Sequence, residues 1–83
     1  MQEKTDFYLD ITSDLCPMTF VRTKLLIERI SAGQTVTIRL KGKEPLTNVP
    51  RSIRELGHDI LDLWPEDGED TYGTHKMIVR KSS

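Results

Sequence analysis

One cysteine, Cys16, stands in a chain of 83 residues. No disulfide can close within it, and a thioredoxin-type cycle, which needs a second thiol to resolve a mixed disulfide, is excluded within one molecule. Histidine is scarce too: His58 and His75 are the only two. One cysteine and two histidines leave a zinc site a ligand short, and their spacing matches no zinc pattern. No metal or cofactor is expected. Long apolar runs are absent, so nothing approaches the roughly 20 residues of a membrane span. Excess charge is absent as well: the net charge is −1. No global basic field exists to drive nucleic-acid or membrane binding. Lys41, Lys43, Arg80 and Lys81 are scattered, and no aromatic residues interleave with them for base stacking. The first residues, Met1 to Asp6, lack the apolar core of a signal peptide. The expected compartment is the cytoplasm, where a thiol stays reduced.

What is present suits one small soluble domain spanning residues 1–83, with residues 1–5 and 82–83 as flexible ends and a monomer as the expected state. Phe7 to Ile11 alternates as a strand with Phe7, Leu9 and Ile11 on one face. Thr12 to Leu15 is a loop of turn formers. From Pro17 to about Ala32 the chain reads as a helix that stops at Gly33. Thr19, Thr23, Leu26, Ile27 and Ile30 share one helical face, with Phe20 at its edge. Met18, Val21 and Leu25 form a second apolar stripe. Internal packing of that stripe is favoured over an exposed patch that docks a partner.

Thr35 to Leu40 alternates cleanly and sends Val36, Ile38 and Leu40 to the core. Lys41 to Pro45 reads as a loop, and Thr47 or Asn48 as the cap of a short helix with Pro50 in its first turn. Its apolar stripe is Val49, Ile53 and Leu56, and Gly57 ends it. His58 to Trp64 and His75 to Lys81 read as strands around an acidic turn at 65–70. Phe7, Phe20 and Trp64 are expected in or at the edge of the core, Tyr8 and Tyr72 half exposed. The order β-α-β-α-β-β implies an α/β fold, a two-layer sandwich whose four-stranded mixed sheet is covered on one face by two helices.

A lone cysteine is most often a small buried hydrophobe. Here it follows a turn-forming loop and precedes Pro17, a favourable first helical residue. That places Cys16 at the N-cap, with its side chain toward the N–H groups of Met18 and Thr19. The positive end of the helix dipole lowers a thiol pKa there. The expectation is an accessible, nucleophilic thiolate. With neither histidine in a catalytic motif, what remains is a thiolate that accepts a group and hands it on.

Leu9-Asp10-Ile11, the loop, Leu15-Cys16-Pro17-Met18-Thr19 and Lys24, continued through Gly33, the Pro-containing second helix ending at Gly57-His58 and the final hairpin, resemble the TusA/SirA-type sulfur carrier family. Members have Cys-Pro-x-Pro at a helix start and Lys eight residues after the Cys. The resemblance implies that Cys16 bears sulfane sulfur as a persulfide. It implies protein partners: a cysteine desulfurase or other sulfurtransferase as donor, and a downstream acceptor in tRNA thiolation, molybdenum-cofactor assembly or sulfur metabolism. Pro17, Met18 and Thr19 then support the thiolate. Asp10 is the family's strand-end acid, expected to bond loop N–H groups or cap the loop ahead of any catalytic role, and it stands among the possible partner or electrostatic contacts. Arg22, Lys24 and Arg29, with Leu25, are candidate partner contacts, set against the equally plain reading of a solvated helix face.

Two positions depart from the family. The second proline is Thr19, and the usual loop glycine is Ser13. Thr19 restores an N–H donor that proline lacks and adds a hydroxyl, which faces the sulfur, serves packing beside Thr23 or bonds the preceding backbone. The competing function is a regulatory or adaptor module that binds a protein through Met18, Val21 and Leu25 on the first helix.

Overall fold

The structure is a computed structural model and describes residues 5–15, 18–66 and 71–82. Its elements are β1 (Phe7–Asp10), α1 (Met18–Arg29), β2 (Thr35–Leu40), α2 (Lys43–Glu55), β3 (Asp59–Pro65) and β4 (His75–Arg80). The four strands form one mixed sheet in the order β1-β2-β4-β3. β1 runs parallel to β2, and β4 is antiparallel to both β2 and β3. The expected order and two-layer architecture hold.

The core follows from the period-two pattern of β2. Val36, Ile38 and Leu40 are fully buried, and Val79 and Met77 of β4 pair with the first two of them. Ile27 and Ile30 from the first helical segment, and Val49 and Ile53 from α2, close over that face. Each such aliphatic side chain contributes about 1.5–3 kcal/mol by leaving water. Thr37, on the opposite face, is also buried; its hydroxyl shares a 2.7 Å hydrogen bond with that of Thr5. In β3 the register shifts between Ile60 and Asp62. The extra residue puts Ile60 opposite Val79 and Leu63 opposite Met77, so both lie on the helix side of the sheet.

On α1, Thr19, Thr23 and Ile27 are buried as the helical spacing requires. The stripe of Met18, Val21 and Leu25 is exposed, which corrects the expectation of internal packing. The buried Thr19, Thr23 and Ile27 take the side of α1 that meets the core.

The second helix also differs from expectation. It begins at Lys43 behind Gly42, not at Thr47 or Asn48. Pro45 is its third residue, where a missing N–H is harmless. Pro50 lies inside the helix and is buried among the core-facing residues. It forgoes the N–H bond to Leu46, and its apolar ring joins the buried face instead. Leu56, expected in the stripe, is exposed. The helix closes with two bonds: the Gly57 N–H donates to Arg54 O at 3.0 Å and the His58 N–H to Ile53 O at 3.2 Å. This pairing is a Schellman motif. Phe7 and both tyrosines are exposed, while Phe20 and Trp64 are half-buried. The acidic-turn expectation for 67–70 lies outside the described residues.

Candidate functional site

The adjacent strands β1 and β2 are parallel, so their C-terminal ends lie together. Each then leads through a short loop into a helix. The two loops therefore emerge side by side at one end of the sheet. The loop after β1 is pinned at several points. Ile11 is buried, and its N–H donates to Arg39 O at 2.9 Å. Asp10 Oδ1 accepts the Thr12 hydroxyl at 2.6 Å and the Thr12 N–H at 2.8 Å. Asp10 Oδ2 pairs with Arg39 at 3.2 Å. The carboxyl of Asp10 is held below its usual value, first by the Thr12 hydroxyl, next by the Thr12 amide, and less by Arg39. This strand-end acid does bond the loop N–H. The Asp14 N–H returns to Ile11 O at 3.2 Å, and the Asp14 carboxylate is paired with Arg22 of α1.

Cys16 and Pro17 lie outside the described residues, and so does the expected N-cap geometry of the thiol. The residues flanking them are bridged: the Met18 N–H donates to Leu15 O at 2.7 Å. The Met18 amide thus has a backbone acceptor in the residue that precedes Cys16. Thr19 and Phe20 supply the next amides of the first turn, which has no acceptor inside the helix.

Thr19 is 1% exposed, and its Oγ1 has no hydrogen-bond partner among the described residues. The Thr23 hydroxyl, one turn on, donates to Thr19 O at 2.8 Å. Thr19 therefore does face inward beside Thr23, and among the described residues its hydroxyl bonds no backbone carbonyl.

Two depressions flank this region. One, about 340 Å³, is lined by Thr12, Asp14 and Leu15 on one side and Lys41 to Pro45 on the other. The other, about 280 Å³, lies between β1 and α1 and brings together Tyr8, Leu9, Arg22, Leu25, Leu26 and Arg29. The candidate contacts on α1 are thus partly assembled: Arg22, Leu25 and Arg29 share the second depression, and Lys24 does not line it. Arg22 is neutralised by Asp14, and Lys24 lies 3.9 Å from Glu28. Sequence reasoning missed two members of the site region, Lys41 and Lys43. The cue was their position directly after a strand parallel to the one that precedes the cysteine loop. His58 precedes β3, and its Nδ1 accepts the Ser82 N–H at 3.2 Å. His75 is the first residue of β4, its Nδ1 2.8 Å from Gly73 O.

The sulfurtransferase TusA family matches this chain over residues 7–81. The chain belongs to that family. Among similar proteins, a candidate sulfur carrier protein of Archaeoglobus fulgidus is 34% identical over 55 residues, which cover 66% of this chain and 62% of that one. The chain thus spans about three fifths of that relative's length. A second, from Methanocaldococcus jannaschii, is 25% identical over 73 residues, 88% of this chain and 91% of its own. A third, from Bacillus subtilis, is 30% identical over 63 residues, 76% of this chain and 84% of its own. The crystal structure of a SirA-like protein from Desulfitobacterium hafniense superposes with a TM-score of 0.65, covering 93% of this chain and 99% of that one. At 19% identity that likeness establishes the fold. The TusA-family match includes position 16, so the chain's single thiol falls inside the matched region. No helix among the described residues is long and apolar enough to cross a membrane.

Proposed function

We propose that this protein is a sulfur carrier whose Cys16 accepts sulfane sulfur as a persulfide and passes it on. The observation that carries the reading is the TusA-family match across residues 7–81, which encloses the only cysteine of the chain. The donor is a cysteine desulfurase or another sulfurtransferase. The acceptor serves tRNA thiolation, molybdenum-cofactor assembly or other sulfur metabolism. The exchange takes place in the cytoplasm, where the thiol is kept reduced.

The chemistry needs little from the carrier. The Cys16 thiolate attacks the outer sulfur of the donor's persulfide. A new S–S bond forms to Cys16, the donor's S–S bond breaks, and its electron pair leaves with the donor cysteine as a thiolate. One thiolate is consumed and one released, so no base and no external oxidant are required. Delivery to the acceptor repeats the exchange in the other direction. Both the thiolate and the persulfide are anions, and both gain from the start of α1. With the Met18 N–H engaged by Leu15, the support falls to the Thr19 amide and to the Thr19 hydroxyl, the latter a buried donor with no other partner among the described residues.

The test is incubation with a cysteine desulfurase and cysteine, followed by intact-mass analysis. The wild type should gain the mass of one sulfur atom, removable by a reductant. Cys16→Ser should gain none. A wild type that stays unmodified, or a gain that survives in Cys16→Ser, sinks the reading.

A further inference from the structure

We infer that the cleft between the 12–15 loop and the start of α2 docks an acidic segment of the protein that exchanges sulfur with Cys16. The inference rests on the carrier reading above. Its first support is position. Leu15, bonded directly to Cys16, forms one wall, and Lys41 to Pro45 form the other. A segment seated there lies against the residue bonded to Cys16.

Shape and polarity describe the occupant. The cleft measures about 340 Å³ and offers apolar surface from Leu15 and Pro45. Leu15 is 83% exposed. Leucine exposed this far beside a reactive position gains by being covered. Charge then selects the sign. Lys41 and Lys43 are exposed, and neither makes an ion pair among the described residues. Of the two carboxylates that line the cleft among the described residues, Asp14 is already held by Arg22, which leaves Glu44 against two lysines. The uncapped N-terminus of α2 at Gly42 adds positive character of the same sign. On α1, by contrast, Arg22 and Lys24 are both offset by neighbouring carboxylates. The free positive charge next to the cysteine loop therefore belongs to the α2 side. An RNA would also meet lysines, but among the described residues no aromatic side chain lines the cleft to stack a base, and Glu44 opposes a phosphate chain. The fitting partner is a protein loop with an acidic residue beside its sulfur-bearing cysteine and an apolar residue to cover Leu15.

Thiol exchange measures this preference without any sulfur donor. Three short peptides carry one cysteine activated as a thionitrobenzoate mixed disulfide, flanked by aspartates, asparagines or lysines. The Cys16 thiolate attacks the peptide sulfur, the peptide becomes disulfide-linked to Cys16, and coloured thionitrobenzoate leaves with the electron pair. The expected order of rates is acidic, then neutral, then basic, with a spread of about fivefold or more that collapses at high salt. Lys41→Glu with Lys43→Glu should reverse the order, while Lys24→Glu should keep it. Alkylation by uncharged iodoacetamide should stay the same in all variants, which separates docking from a change in the thiol itself. Should the charge-reversed pair fail to fold, Lys41→Gln with Lys43→Gln should flatten the order. Equal rates for the three peptides in the wild type overturn the inference. So does an order that persists in the glutamine pair, or protection of Cys16 from iodoacetamide by an RNA oligonucleotide in place of the acidic peptide. A peptide preference retained in a protein that takes up no sulfur in the mass assay would remove the carrier reading and leave the docking surface standing.

Discussion

A buried hydroxyl without a partner is costly, about 1–3 kcal/mol when a donor is left unmade. Among the described residues Thr19 is such a residue, and Thr23 is its opposite, with its hydroxyl bonded to Thr19 O. Thr19→Val keeps the shape and removes the orphan, so its unfolding midpoint should equal or exceed that of the wild type. Thr23→Val loses a formed bond and should be the less stable of the two by about 1 kcal/mol. Chemical denaturation of the pair checks the order, and a Thr19→Val protein less stable than Thr23→Val contradicts it. If the Thr19 hydroxyl also serves the sulfur, Thr19→Val raises the Cys16 thiol pKa in pH-dependent alkylation, and Thr19→Ser restores it. A second residue-scale prediction concerns Arg39, which bridges Glu66 at 2.7 Å and Asp10 at 3.2 Å. Arg39 is the main cause of the lowered Glu66 pKa, whereas Thr12 is the main cause for Asp10. Carboxyls lowered in the folded state add stability above their unfolded value, about 4, and lose it as pH falls through the folded value. Stability should therefore drop as pH falls below about 4. Arg39→Met should start less stable at neutral pH and lose less on acidification, with the Thr12 contribution at Asp10 remaining. The pair is partly exposed, so the effect should be small and should weaken with salt.

At the scale of elements, the ends of α2 make a paired test. Gly57 has φ +89° and open space where a Cβ would stand, so Gly57→Ala costs only the left-handed backbone, about 1 kcal/mol. Gly42 has φ 102° and ψ 152°, a region that glycine alone adopts readily, and a Cβ there would meet the Pro45 ring at 3.4 Å. Gly42→Ala should be the more destabilising in thermal or urea unfolding. It should also slow alkylation of Cys16 less than it lowers stability, since Gly42 lines the cleft without being bonded to the cysteine loop. The start of α2 was also the boundary hardest to read in the sequence. Gly42 caps it without a side-chain bond, so no capping residue announces the helix, while Thr47 and Asn48 resemble caps and Pro50 resembles a first-turn proline. β2 was legible to the residue because its alternating Val36, Ile38 and Leu40 are bounded on both sides by polar residues. The extra residue between Ile60 and Asp62 had no such mark, because Ile60, Leu61 and Leu63 are all aliphatic.

Across the whole molecule, the order of elements and the layer arrangement were readable because apolar runs of strand or helix period alternate with turn-forming residues along the chain. The covered side of α1 was not. Its two stripes are both apolar at helical spacing, and only the tertiary packing decides that Thr23, Ile27 and Ile30 go inward while Met18, Val21 and Leu25 stay outside. That outcome keeps the adaptor reading in view and makes it testable against the carrier reading. The α1 groove that contains Leu25 and the cleft that contains Leu15 share no lining residue. Leu25 is exposed, so Leu25→Asp should shift unfolding by less than about 0.5 kcal/mol. Under the carrier reading it retains the one-sulfur mass gain from a cysteine desulfurase and cysteine, whereas Cys16→Ser loses it at unchanged fold. Under the adaptor reading the dependence is reversed: biological function survives Cys16→Ser and is lost in Leu25→Asp. Loss of loading in Leu25→Asp with a small-molecule persulfide still accepted would place the donor on the α1 face, and the lysines beside the cysteine loop would then serve the acceptor.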